Sequence, residues 1–274
     1  MSPLPDPTPA TLAAWMAAEP AVLVTVQRTQ GSVPRDEGTW MAVFADRLLG
    51  TIGGGHVEHE AVALARAGLA GGELPADRRY ALGPSLGQCC GGVMHLGFER
   101  LAAGQGAAVQ ARLVAAQDAR RLPVALFGGG HVGRAIVRAL QPLPVRMWWV
   151  DSRDEIFPPD LPPHVVAEHS APVEAAVADL ASGSRVLVMS FSHAEDLEIV
   201  AACLRRLRER DDLPFVGLIG SRSKWATFRH RLEARGFAAD EIARVTCPIG
   251  VPGVMGKEPE VIAAAVAAQL MQLR

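Results

Sequence analysis

The chain has 274 residues, 49% of them apolar, which is enough for two domains that each bury a core. Its 27 basic and 29 acidic residues give a formal net charge of −2, so no basic field is present to hold a nucleic acid or an anionic membrane. The sequence shows neither a signal peptide nor an apolar run of the roughly 18 residues that a membrane span needs. We therefore expect a cytoplasmic protein with neither of those partners.

The first part of the chain, residues 1–104, is predicted to form a mixed α+β domain. Runs rich in apolar and β-branched residues begin at Ala21 and Val93 and are typical of strands. A hairpin is predicted to turn near Ala45 and Asp46, and a helix follows the run of three glycines further on.

Residues 105–121 are alanine-rich and polar and are predicted to form a linker helix. From residue 122 to 274, apolar strands alternate with amphipathic helices, one of which begins near Pro172. This alternation is typical of a parallel sheet covered on both faces. The fold class predicted for the chain is α/β, with the mixed α+β domain followed by a Rossmann-like parallel-sheet domain.

A glycine turn lies between the first strand and first helix of the second domain. Gly128, Gly130 and Gly133 have the Gly-x-Gly-x-x-Gly spacing, and Asp151 ends the next strand. In such a turn the first glycine permits a tight bend, the second admits a phosphate, the third allows close packing, and the acid can bind a ligand hydroxyl. The turn predicts a phosphate-bearing ligand; the alternative is a turn kept for packing alone.

A second group of polar residues follows a later strand of the same domain. Ser221, Arg222 and Lys224 could clamp a phosphate with one hydroxyl and two cations. The alternative is a basic helix start that faces solvent. Ser192 is expected to cap another helix of this domain.

The first domain has a glycine turn of its own, formed by Gly53, Gly54 and Gly55. Free amides at the start of a helix would make a generic anion site there. His56 and His59 would share a face of that helix, but the sequence lacks the Cys-x-x-Cys and His-Glu-x-x-His patterns of zinc sites. We expect polar residues at a helix start rather than a metal site.

The segment "SLGQCCGGVMH" contains two adjacent cysteines, Cys89 and Cys90, among glycines. A bond between them would close a strained ring that is easily reduced. Glycine amides favour a thiolate, so we expect a thiol that contacts a ligand, with buried filler as the alternative. Cys203 is expected to lie in the core, and Cys247 to be a structural thiol.

Six motifs, taken in order, resemble the XdhC/CoxI family from about residue 20 to residue 270. They are "GSVPRDEGTWM", "GTIGGGHVEHEAV", "LGQCCGG", "VALFGGGHVGRA", "LIGSRSK" and "CPIG". The resemblance implies a chaperone that binds the molybdenum cofactor (molybdopterin with its metal) and protects it. It also implies two protein partners: a cysteine desulfurase that supplies the sulfido ligand, and the apo xanthine dehydrogenase that receives the finished cofactor.

Combined with this resemblance, the motifs indicate a set of cofactor-binding residues. Cys90 is the expected contact of the molybdenum, because a thiolate suits a soft metal centre. We also expect a homodimer. The predicted cofactor-binding residues are Gln88, Cys89, Cys90, Gly53, Gly54, Gly55, His56, Gly128, Gly130, Gly133, Asp151, Ser221 and Arg222.

Two other classes of protein would also have these motifs. The glycine turn of the second domain and Asp151 would suit an NAD(P)-dependent oxidoreductase, and a nucleotide could occupy the turn of a chaperone as well. Against an oxidoreductase, the sequence has no Tyr-x-x-x-Lys pair, and its only tyrosine is Tyr80. The third class is a scaffold that binds partners while its Rossmann half is vestigial. Stoichiometric pterin binding would distinguish the chaperone from both.

Overall fold

The computed structural model describes residues 6–83 and 91–273. The chain divides into two compact units, Met1–Ala119 and Arg120–Arg274. Within the described residues, every helix is too short or too polar to cross a membrane.

The first unit is built on an antiparallel sheet of five strands in the order β3-β2-β1-β5-β4. Its strands are β1 (Ala21–Gln30), β2 (Trp40–Val43), β3 (Leu48–Gly50), β4 (Asp77–Ala81) and β5 (Val93–Leu101). Its helices are α1 (Pro9–Trp15), α2 (Gly55–Leu69) and α3 (Gly106–Arg120). The predicted hairpin is confirmed, since β2 and β3 pair from Met41 opposite Gly50 to Val43 opposite Leu48.

Alternation along β1 gives this sheet two apolar faces, because successive side chains of a strand point to opposite sides. Val22 and Val24 belong to a core that includes Val57 of α2. Leu23, which lies between them, belongs to a second core with residues of α1 and α3, among them Leu12. Helices therefore cover the sheet on both faces.

The second unit is built on a parallel sheet of six strands in the order β11-β10-β9-β6-β7-β8, as the alternating sequence pattern predicted. The strands are β6 (Leu122–Phe127), β7 (Val145–Asp151), β8 (Val165–His169), β9 (Arg185–Val188), β10 (Phe215–Leu218) and β11 (Val245–Thr246). The helices are α4 (His131–Leu140), α5 (His193–Arg210), α6 (Arg222–Glu233), α7 (Ala239–Ile242) and α8 (Pro259–Gln272). Strands β6 to β8 extend the sheet in one direction and β9 to β11 in the other, so the strand order reverses between β6 and β9.

The helix expected near Pro172 is a 3-10 helix, Val173–Asp179, and not an α-helix. Its last carbonyl groups bond to a side chain instead of continuing a helical ladder. The guanidinium of Arg206, in α5, donates to the carbonyl oxygens of Val177 and Leu180, each at 2.7 Å. Arg206 is 6% exposed and also forms a two-bond ion pair with Asp212. This side chain joins the short crossover helix to α5.

Arg206→Ala should lower the free energy of unfolding by about 3 kcal/mol, because it leaves buried carbonyl groups and the Asp212 carboxylate without their partner. Urea unfolding at neutral pH measures the change. Arg208→Ala is the control on the same helix. It removes an ion pair with Glu241 that is exposed to solvent, so its effect should be much smaller. Equal losses in the two variants would contradict this account of the 3-10 helix.

Candidate functional site

The strand order of the second unit reverses between β6 and β9, and ligands of such sheets bind outside the carboxyl ends at this point. Gly128 follows β6 with φ +127°, a conformation that side chains rarely adopt. A Cβ atom on Gly128 would overlap the carbonyl oxygen of Met189, which follows β9. The two strand ends are thus in direct contact, and only glycine fits between them.

Gly133 lies in the first turn of α4 and allows that helix to pack against the end of β6. A Cβ atom at this position would overlap the carbonyl oxygen of Gly128. The same oxygen accepts a hydrogen bond of 2.9 Å from the indole of Trp149. Gly133 therefore has the packing role that its place in the motif predicted.

Gly130 is the N-cap of α4, and the space beside it is open. Its φ of −69° is available to any residue, and a Cβ atom here would meet no atom within 4 Å. Among residues 6–83 and 91–273, no group accepts from the amides of Gly130, His131 or Val132. Unpaired amides and the helix dipole favour an anion at this end of a helix. The start of α4 therefore has unpaired amides beside open space.

Asp151 is 2% exposed and is bonded entirely by the protein. One carboxylate oxygen accepts from the amide of Gly129 at 2.6 Å. Arg153 supplies three more bonds, from its amide, its Nε and its Nη2, at 2.8 to 2.9 Å. A carboxylate has about four acceptor positions, so none is left for a ligand hydroxyl in this arrangement. Asp151 fixes the glycine turn, and its predicted contact with a ligand stays a prediction.

The hydrogen bonds to Asp151 also change its pKa. Burial raises the pKa of this carboxyl group, but the bonds from Arg153 and from the Gly129 amide outweigh burial and lower it below its ordinary value. Asp151 is therefore ionised at neutral pH, and its bonds to Arg153 are charge-assisted.

Phe191 follows β9 and is 66% exposed. The guanidinium carbon of Arg153 lies 4.6 Å from the centroid of its ring. The amide of Phe191 donates to Glu195 at 3.2 Å, and the other oxygen of that carboxylate accepts from Ser152 at 2.7 Å. Sequence reasoning missed Phe191, Arg153 and Glu195. The one feature of the sequence that could have indicated this group is Arg153, two residues after the acid that ends β7.

The phosphate clamp predicted after β10 is not formed as expected, because Lys224 is already paired. Its ammonium donates to Asp196 at 2.6 Å and to the carbonyl oxygen of Ile219 at 2.9 Å. Ser221 caps α6 by accepting from the amide of Lys224, and Arg222 is exposed. The lysine is thus bonded to α5 and to the residue that follows β10. The roles predicted for Ser221 and Arg222 stay predictions.

Ser192 caps α5 by accepting a hydrogen bond from the amide of Glu195, as expected.

Two of the four cysteines lie within the described residues, and neither has the properties of a reactive thiolate. Cys203 is fully buried in the core, where burial raises its pKa to about 12. Cys247 is half-buried, and burial raises its pKa to about 11. Both are protonated thiols at neutral pH. Gln88, Cys89 and Cys90, on which the cofactor prediction depends most, lie outside the described residues.

In the first unit, three glycine-containing segments lie at the same end of the sheet. A Cβ atom on Gly53, after β3, would lie 2.7 Å from the ring of Pro34, in the loop after β1. A Cβ atom on Gly92, just before β5, would overlap the carbonyl oxygen of Ser32 in that same loop. The loop after β1 therefore lies against both the glycine turn and Gly92.

The amides of the first glycine turn are not free, contrary to the expectation for Gly53 and Gly54. The carboxylate of Glu58, in the first turn of α2, accepts from the amides of Ile52 and Gly54, each at 3.0 Å. The same oxygen accepts from the hydroxyl of Thr51, which in turn accepts from the amide of Gly53. The protein's own carboxylate thus occupies the position predicted for an anion.

Gly55 and His56 begin α2 and are exposed, and His59 is exposed one turn further on. In the described parts of the chain, no three histidine, cysteine or acidic side chains come together as a set of metal ligands.

The described units thus form a two-part α/β protein whose Rossmann unit has a glycine turn followed by unpaired amides at the start of α4. Residues 124–270 match the model of the XdhC Rossmann domain, and residues 14–80 match that of the XdhC and CoxI family. The first match covers more than half of the chain, so the chain belongs to the XdhC family.

Individual proteins similar to this chain include one curated relative and one solved structure. The uncharacterized protein YqeB of Escherichia coli strain K12 is 26% identical over 263 residues, which cover 93% of this chain but 44% of YqeB. The chain therefore spans less than half the length of that relative. A crystal structure described as a xanthine dehydrogenase from Bacillus halodurans has a TM-score of 0.69 at 18% identity, with 97% of this chain and 95% of that chain covered. At this identity the likeness concerns the fold alone.

Gly133→Ala should lower the free energy of unfolding by roughly 1–3 kcal/mol, because its methyl group would push α4 away from the end of β6. Gly130→Ala is the matched control in the same turn. It adds the same methyl group to open space at a permitted φ, so the change should be within about 0.5 kcal/mol. Urea unfolding of both variants measures the difference, and a Gly130 variant that loses as much as the Gly133 variant would contradict the structure of the turn.

The ion pair of Asp151 should make stability depend on pH. The pKa of Asp151 is lower in the folded protein than in the unfolded chain, where it is about 3.9. Its ionised form therefore stabilises the fold above that pH, and this stability is lost as the pH falls through the pKa of the folded protein. Asp151→Asn should remove this contribution at neutral pH and flatten the acid limb of the stability curve. Unfolding free energies measured from pH 7 to pH 3 test this. If the free energy of unfolding changes with pH equally in the variant and in the unchanged protein, the ion pair of Asp151 with Arg153 does not stabilise the fold.

Proposed function

We propose that this chain is a carrier of the molybdenum cofactor that serves the maturation of a xanthine dehydrogenase. The observation that carries the proposal is the match to the XdhC family in both units. The cofactor is cargo here: it is held, protected and handed to apo xanthine dehydrogenase, after a cysteine desulfurase has supplied its sulfido ligand.

The second unit contributes the phosphate site in this proposal. Molybdopterin carries a phosphate group, and the amides at the start of α4 are open to an anion. Gly130 leaves room for its approach, and Asp151 holds the turn in place through the amide of Gly129. These amides would bind the phosphate without a lysine, which is consistent with the pairing of Lys224 to Asp196.

The first unit contributes the thiols in this proposal. Cys90, with Cys89 beside it and Gln88 before it, is proposed to contact the molybdenum, since a soft thiolate is a suitable neighbour of a metal bound by a dithiolene. The two described cysteines are protonated thiols, which leaves this pair as the candidates. We propose a homodimer as the assembled form.

A carrier is favoured over an NAD(P)-dependent oxidoreductase by the state of Asp151. Recognition of a ribose by the usual Rossmann acid requires a free acceptor, and here Gly129 and Arg153 take all four positions. A nucleotide would need a different mode of binding.

Cys90→Ala should weaken retention of the cofactor by at least about tenfold, if a thiolate that contacts the metal is lost. Gly130→Val should do the same by placing bulk where the phosphate binds, at a position where an added Cβ atom meets no protein atom within 4 Å. Molybdenum and pterin that stay with each variant after anaerobic gel filtration measure retention. Cys247→Ser is the control for the loss of a thiol and should retain the cofactor.

Transfer is tested by adding the loaded protein to apo xanthine dehydrogenase in the presence of a cysteine desulfurase and a sulfur source. The proposal predicts that the loaded chain restores xanthine oxidation more completely than the same amount of free cofactor. Equal restoration by free cofactor and by the loaded chain would contradict the role of carrier. Unchanged retention in the Cys90 variant would remove that residue from the site.

A further inference from the structure

The exposed ring of Phe191 is linked to the glycine turn by a short chain of contacts. Its position follows from direct contacts: the ring lies against Arg153, Arg153 bonds to Asp151, and Asp151 bonds to the amide of Gly129. Met189, two residues before Phe191, lies against Gly128. An aromatic ring and an open phosphate site therefore share one edge of the same sheet.

The segment around Phe191 is anchored on both sides, although its ring faces solvent. The hydroxyl and the amide of Ser190 both donate to Asp196, at 2.7 and 2.8 Å. On the other side Ser192 caps α5, and the amide of Phe191 itself bonds to Glu195. These bonds restrict the backbone that carries the ring. The loss of conformational entropy when a ligand binds there would therefore be small.

Arg153 covers one face of the ring and is itself held by Asp151. The guanidinium is 4.6 Å from the ring centroid, which is within the range of a cation–π contact. Even with this contact, 66% of the residue is exposed. The protein therefore covers one face of the ring and leaves most of the residue's surface open.

We propose that the open face of Phe191 stacks against the flat heteroaromatic ring of the ligand whose phosphate binds at the start of α4. This inference rests on the proposed function for the phosphate, and it adds the class of ring that the second unit recognises. Aromatic side chains that bind flat ring systems in this way tolerate different rings, because each offers a π face. Pterins and purines share this chemistry.

Phe191→Leu should weaken binding of the molybdenum cofactor to the full chain by about tenfold, because leucine keeps an apolar side chain but has no π face. Phe191→Tyr should bind within about twofold of the unchanged protein. Val166→Ala is the control for trimming an exposed apolar residue, since Val166, the second residue of β8, is 58% exposed. Dissociation constants come from anaerobic titration of the released cofactor, with FAD, NADPH and ATP as purine probes.

The outcomes separate this inference from the proposed function. If the unchanged chain binds the cofactor and Phe191→Leu binds it equally tightly, the stacking is wrong and the carrier role stands. If no cofactor binds, the carrier role is wrong. The stacking role of Phe191 is then supported only if a purine probe binds the chain and Phe191→Leu weakens that binding, and it is overturned otherwise. If Phe191→Leu leaves every ligand unaffected but loses apo xanthine dehydrogenase, the ring is a protein contact and the inference is overturned.

Discussion

The carboxylate of Asp151 organises the edge of the second unit where a ligand is expected. It holds the amide of Gly129, which sets the path of the glycine turn, and it holds Arg153, which lies against Phe191. Its ionised state is favoured by the same bonds, since they lower its pKa in spite of burial. The open amides of α4 and the exposed ring of Phe191 both depend on the position of this one buried acid.

The two glycine turns of the chain show why a motif alone does not define a binding site. Both join a strand to a helix, and both offer amides at the helix start. In the first unit, Glu58 reaches back from the first turn of α2 and takes the amides of Ile52 and Gly54. In the second unit, the acid lies at the end of the neighbouring strand. Of the amides in the turn it takes only that of Gly129, and it leaves the amides of the next residues open.

Much of the fold follows from the sequence, because strand and helix periodicities and the glycine spacing depend on local geometry. The hairpin at Ala45 and the packing role of Gly133 are of this kind. The pairing of Lys224 with Asp196 joins the first turns of α6 and α5, which are distant in sequence, and no local pattern predicts it. The carbonyl groups at the end of the 3-10 helix likewise bond to Arg206, which belongs to another element. Single exposed apolar side chains are common on protein surfaces, so the exposure of Phe191 alone does not indicate a binding site. Its contact with Arg153 does, and the sequence does not show that contact.

The central claim is that the chain binds the molybdenum cofactor as cargo. It is tested most directly by incubating the full chain anaerobically with released cofactor, separating it by gel filtration, and quantifying molybdenum and pterin, with NADH and NADPH titrated in parallel. We predict nearly one molybdenum and one pterin per chain and no tight binding of either nucleotide. Tight nucleotide binding without pterin would contradict the account and favour an oxidoreductase.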